Sequence, residues 1–189
     1  MKPGQFRYFL AIIPPAAVEE RVHKLKELVA EEFNSKAALR SPAHITLHMP
    51  FLWKEAKQDR LFHKLAHATS FSSFDLNLNG FAAFPPRSIY IKNEFSQPLI
   101  DFQKALAQIC KLELNLFNAT HNRGYNPHTT IAFRDLKKDV FPKAWEYFKC
   151  QEFRAEFKVD SFWLLKHDGK RWLAYKEFKF QDSQPEPES

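Results

Sequence analysis

At 189 residues, 44% of them apolar, the chain suits one compact soluble domain, and its 28 Lys and Arg against 22 Asp and Glu give a net charge of +6. Three of the acids (Asp182, Glu186 and Glu188) lie in residues 181–189, so the rest of the chain stands at +9 and attracts polyanions, phosphate-bearing partners among them. The four glycines are too far apart for a glycine-rich phosphate loop, and Cys110 and Cys150 are too few for a four-cysteine metal site and read as half-buried reduced thiols.

Residues 6–13 form an almost continuous apolar run, a strand covered on both faces, which Pro14-Pro15 stops. The most apolar stretch near the start, 9–18, is interrupted by these prolines and too short to span a bilayer, and Arg7 falls where an export signal would be apolar, so a cytoplasmic protein is expected. A helix to about residue 33 follows, with Val18, Val22, Leu25, Val29 and Phe33 inward and Glu19, Glu20, Lys24, Lys26 and Glu27 on the wet face. Next come a short strand over 44–50, a helix over 55–69, and two strands around Phe74 to Leu78 and Ile89 to Ile91. Ser96 and Pro98 announce a third helix to about residue 113, and the polar stretch 115–127 reads as a loop. A strand over 128–134 and a helix over 139–149 precede two long alternating segments, 153–166 and 170–180, with an Asp168-Gly169 hairpin turn between them. The expected class is α+β with antiparallel sheets, in a body of residues 1–180, with 181–189 a disordered acidic tail.

Two short motifs stand out from this pattern. His44-Ile45-Thr46-Leu47 and His128-Thr129-Thr130-Ile131 repeat a His-x-Thr pattern 84 residues apart, and each closely follows a proline, Pro42 or Pro127. Eight His and five Thr placed at random would give about 0.2 such triplets. Side chains two apart on a strand share a face, so His44 pairs with Thr46 and His128 with Thr130 while the residues between enter the core.

Residues 42–51 and 125–133 resemble the paired signatures of the 2H phosphoesterase superfamily, and within it the RNA 2′,3′-cyclic phosphodiesterase or 2′-5′ RNA ligase-like branch. The likeness extends over nearly the whole chain except its tail. It implies a single bilobal domain: two antiparallel-rich sheets with helices outside, related by a pseudo-twofold axis, and a groove between the lobes lined by one His-x-Thr strand from each. It also implies hydrolysis of 2′,3′-cyclic phosphodiesters at RNA or nucleotide ends to a 2′-phosphate. Ring opening needs a proton taken from water and another given to the departing sugar oxygen, and an imidazole pair near neutral pKa can do both without a metal or other cofactor. His128 is expected as the base and His44 as the acid, with Thr46 and Thr130 holding phosphate oxygens.

Further candidates follow from position. Arg134 lies six residues after His128, on the same face of an unbroken strand, and would neutralise phosphate. His48 shares the parity of His44 and Thr46, and Tyr125 and Arg123 could contact a base and a backbone phosphate. His63 and His67 stand four apart on a helix but lack the glutamate of a metalloprotease motif, and no metal site is expected. The expected partner is RNA or a nucleotide bearing a cyclic phosphate, with no membrane and no obligate protein partner, the chain acting as a monomer. Other 2′-linked substrates, such as 2′-5′ oligonucleotides or an ADP-ribose cyclic phosphate, present the same chemistry to these four side chains. A non-catalytic RNA-binding module would use the threonines and cations alone as a phosphate clip.

Overall fold

The structure, a computed structural model, describes residues 3–118 and 124–183. The opening apolar run forms strand β1 (Gln5–Ile12), buried throughout its second half. Helix α1 (Ala16–Phe33) starts on the Pro15 carbonyl, which accepts from the Val18 and Glu19 amides, and ends on Asn34 in the left-handed conformation at φ 52°. Strand β2 (Ile45–Lys54) and helix α2 (Gln58–Leu65) follow, then β3 (Phe74–Phe84) and β4 (Ser88–Asn93). Helix α3 (Gln97–Leu114) is capped by the Ser96 hydroxyl and, like α1, runs 18 residues to a left-handed asparagine, Asn115 at φ 55°. The chain continues through β5 (His128–Ala132), α4 (Phe141–Lys149), β6 (Arg154–Val159), β7 (Ser161–His167) and β8 (Trp172–Lys179).

Among the described residues, eight strands join one sheet in the order β6-β3-β4-β5-β2-β1-β7-β8, with every neighbouring pair antiparallel. The two sheets that the family resemblance implies are the two four-stranded halves of this sheet, which meet where Ile45 of β2 faces Thr129 of β5. The halves repeat a plan: β1-α1-β2 on one side of that join and β4-α3-β5 on the other, each a pair of antiparallel neighbours linked by a long helix. The helices pack crosswise, α1 against β5 and α3 against β2. An aromatic-rich core lies between sheet and helices, with Phe102, Phe148, Phe162 and Phe180 fully buried.

Several sequence expectations shift. Residues 153–166 are not one strand: Asp160 ends β6, which pairs with β3 in one half, and β7 then pairs with β1 in the other. Side chains that join the main core sit at odd positions through Val159 and at Phe162 and Leu164 after it, while Leu165 joins a second cluster, so the phase of alternation changes at the break. Lys26, assigned to the wet face of α1, is 1% exposed and donates to the Ser41 carbonyl at 3.0 Å. Cys110 is buried and Cys150 exposed, both as free thiols, so neither is half-buried. Gln181–Ser183 form a 3-10 turn whose Asp182 accepts from the Ser73 amide and hydroxyl, while the remaining tail residues, 184–189, lie outside the described residues. Among the described residues, no helix is long and apolar enough to cross a membrane.

Candidate active site

The join between the halves builds the site. Ile45 and Thr129, the middle residues of the two His-x-Thr motifs, face each other and are buried at 1% exposure each. Alternation along each strand then sends the flanking residues to the other face. His44, Thr46, His128 and Thr130 accordingly line one cavity of about 670 Å³. In an antiparallel pair centred on the middle residues, the histidine of each motif lies across from the threonine of the other.

The two imidazoles are held alike. His44 Nδ1 is 2.8 Å from the Pro42 carbonyl and His128 Nδ1 is 2.8 Å from the Asn126 carbonyl, in each case two residues upstream. A carbonyl can only accept, so Nδ1 carries the hydrogen and Nε2 is the nitrogen left to exchange protons. An aromatic ring from the neighbouring strand backs each histidine: Phe9 of β1 at 4.9 Å from His44, and Tyr90 of β4 at 4.8 Å from His128.

Charge around the pair is of one sign. Arg7, Arg40, Arg134 and Lys170 line the cavity, and no carboxylate does among the described residues. Burial pushes the His44 pKa down to about 4 against the opposing bond to Pro42, and the charges of Lys26 and His128 lower it further. Burial also lowers the His128 pKa, opposed by the bond to Asn126. Both rings therefore favour the neutral form at pH 7, and an anion beside them favours their protonation.

The other sequence candidates are distributed unevenly. Arg134 reaches the cavity, though by a different route from the one expected: β5 ends at Ala132, and a left-handed turn at φ 61° redirects Arg134. His48 does not line the cavity, is 1% exposed, and packs edge-on against Phe51 at 5.5 Å. Register shifts in the β1–β2 pairing, on either side of Leu10 opposite His48, break the alternation that would have carried it beside Thr46. Tyr125 lines the cavity with its hydroxyl buried and unpartnered, and burial raises its pKa. Arg123 lies outside the described residues.

Arg7, Phe9, Arg40 and Trp172 were not singled out from the sequence, because strand β1, the segment after α1 and the β7–β8 hairpin converge on the cavity only in three dimensions. Trp172 stands edge-on to Phe9 at 4.7 Å, with the Arg7 guanidinium 5.4 Å from its ring. Its own signal, an aromatic beside a basic hairpin turn, was present in Asp168-Gly169-Lys170-Arg171-Trp172. His63 and His67 are 5.3 Å apart, with His67 against Glu113, which also pairs with Lys64. No group of three or more His, Cys, Asp or Glu suited to a metal ion occurs among the described residues.

Residues 14–171 match the family model of the 2′-5′ RNA ligase superfamily. Among solved structures, E. coli LigT complexed with 3′-AMP is similar at a TM-score of 0.69 and 21% identity, over 94% of this chain and 99% of that one. E. coli LigT complexed with phosphate follows at 0.58 and 17%, over 94% and 98%. TT0787 of Thermus thermophilus is similar at 0.61 and 16%, over 94% and 100%. At these identities the likeness is one of fold. No curated protein matches the chain by sequence.

Proposed function

The chain belongs to the 2′-5′ RNA ligase superfamily, and from that premise we propose that it hydrolyses 2′,3′-cyclic phosphodiesters at RNA or nucleotide ends to a 2′-phosphate. The observation carrying this reading is the convergence of His44, His128, Thr46 and Thr130 on one cavity whose charged lining, among the described residues, is cationic. Its phosphoesterase character follows from the family, and LigT structures holding 3′-AMP and phosphate support a phosphate-bearing ligand in this fold.

One imidazole takes a proton from water as the water oxygen bonds to phosphorus. The other gives a proton to the 3′ oxygen as its bond to phosphorus breaks, leaving the phosphate on the 2′ oxygen. Each transfer contributes typically ~10²–10⁴-fold, and neither calls for a metal. Thr46, Thr130 and Arg134 hold the non-bridging oxygens.

The surroundings of the two rings favour an order of roles opposite to the one expected from sequence. The Lys26 charge disfavours a protonated His44 in addition to burial, whereas burial alone is the lowering influence on His128. With one proton shared between them, His44 is the neutral ring and hence the base, and His128 is the acid. A substrate with sulfur as the departing atom needs no acid. Its turnover is expected to survive His128→Ala and not His44→Ala; the reverse pattern restores the sequence-based order.

The decisive experiment offers purified protein cyclic mononucleotides and a short RNA ending in a cyclic phosphate, with a chelator present, and compares wild type with His44→Ala and His128→Ala. Turnover lost in both variants and indifferent to chelation supports the proposal. Binding without turnover by the wild type replaces it with the phosphate-clip reading, and activity abolished by the chelator removes the metal-free mechanism.

A further inference from the structure

Arg134 occupies a backbone conformation that its side chain does not favour. Among the described residues, the other non-glycines with positive φ are Asn34 and Asn115, which end helices and belong to the residue type that tolerates the left-handed region. The turn at Arg134 is closed by the Asp135 amide, which donates to the Phe133 carbonyl at 2.7 Å. It aims Arg134 into the cavity, with the guanidinium carbon 5.2 Å from the Phe133 ring. A strained turn persists only where its surroundings fix it.

The fixing group is the next side chain. The Asp135 carboxylate accepts from the Ser35 hydroxyl at 2.7 Å and from the amides of Lys36 and Ala37 at 2.8 and 2.9 Å. Ser35 is fully buried, and the two amides open the 3-10 turn Ala37–Arg40, whose Arg40 lines the cavity. One carboxylate thus ties the exit of β5 in one half to the exit of α1 in the other, with an arginine presented on each side.

We propose that Asp135 is the positioning residue of the phosphate site, tying the two halves together so that Arg134 is held on the bound anion. This rests on the reading of the cavity as a phosphate site. Three charge-assisted bonds from one carboxylate supply the rigidity that the left-handed arginine requires.

The test measures KM and kcat for adenosine 2′,3′-cyclic phosphate, and the Kd of adenosine 2′-monophosphate by calorimetry, in Asp135→Ala, Arg134→Ala and the double variant. Asp135→Ala is expected to raise both KM and Kd about 10-fold while kcat falls less than about 3-fold, and to add less than about 2-fold in the Arg134→Ala background. Asp135→Asn, which keeps one acceptor oxygen, is expected to recover part of the affinity. Independent, multiplying losses in the double variant overturn the proposal, as does an unchanged Kd. Should Asp135→Ala not fold, Ser35→Ala removes one of the three bonds, and a rise in Kd confined to the background with Arg134 intact supports the clamp; a rise equal in both backgrounds overturns it. A wild type that binds the monophosphate without turning over the cyclic ester defeats the hydrolase reading and leaves the Kd comparison to judge Asp135. A wild type that binds neither overturns both.

Discussion

The His44 half and the His128 half of the cleft share a scaffold and differ in what surrounds it. Each histidine precedes a buried residue at the central join, bonds to a carbonyl two residues upstream at 2.8 Å, and rests on an aromatic from the adjoining strand. Near His44 lies the buried ammonium of Lys26; beyond His128 the chain turns left-handed to deliver Arg134. Repetition supplies two similarly held imidazoles lining one cavity, and departure from repetition makes one ring the harder to charge. A symmetrical pair with equal pKa values would have no preferred donor.

The largest test of this contrast removes the rings themselves. His44→Ala and His128→Ala are each expected to lower kcat on cyclic nucleotides by ~10²–10⁴-fold, and the double variant to fall far short of the product of the two losses, since either transfer alone is of little use. Thr46→Val and Thr130→Val come next, each removing a bond to charged phosphate of roughly 1.5–3 kcal/mol and so lowering kcat/KM by about 10- to 100-fold. Unequal losses would show that phosphate sits nearer one half.

Electrostatic asymmetry is probed by Lys26→Met. Removing the ammonium lets the His44 pKa rise from about 4, so the acidic limb of the kcat/KM profile moves to higher pH while the alkaline limb, assigned to His128, stays in place. In the wild type both limbs fall on the acid side of 6.5, because both rings are depressed in the free protein; the kcat profile lies at higher pH, because bound phosphate favours both protonated forms. Lys26 also leaves a signature on stability. Its folded pKa of about 8 lies below its ordinary 10.5, so the folded state holds fewer protons than the unfolded between those values and is stabilised as the pH rises through them. The stability of Lys26→Met relative to wild type is therefore expected to fall between pH 8 and pH 10.5, as followed by urea unfolding. The smallest effect concerns the repeated scaffold: Asn34→Gly and Asn115→Gly relieve the same left-handed cap, and are expected to raise stability equally, by less than about 1 kcal/mol each.

Local pattern made some of this architecture readable and geometry hid the rest. The His-x-Thr repeat could be seen because its meaning depends on two-residue alternation within a short strand, which both copies keep. Alternation failed once it was extended. His48 is only four residues from His44, but the pairing slips on both sides of it, on one side next to Pro50, which cannot donate to the ladder. Strand parity does not reach Arg134, because β5 ends at Ala132, and the side chain enters the cavity through a turn that no periodicity encodes. Lys26 carries the polar label of a surface residue, yet its spacing from Val22, Val29 and Phe33 places it on the buried stripe of α1. Asp135 had no signal at all, since its three partners lie about a hundred positions earlier in the chain.

The single rung between Ile45 and Thr129 has a mechanical consequence. Every other pair of neighbouring strands is registered at four or more positions, so the sheet resists bending least along the line that separates the two imidazoles. The halves are held across that line chiefly by the crossed helices and by the Asp135 bonds rather than by the strand ladder. On the proposed function, a phosphate held by Thr46 from one side and Thr130 from the other would act as a staple across that crease, where the sheet itself supplies one rung.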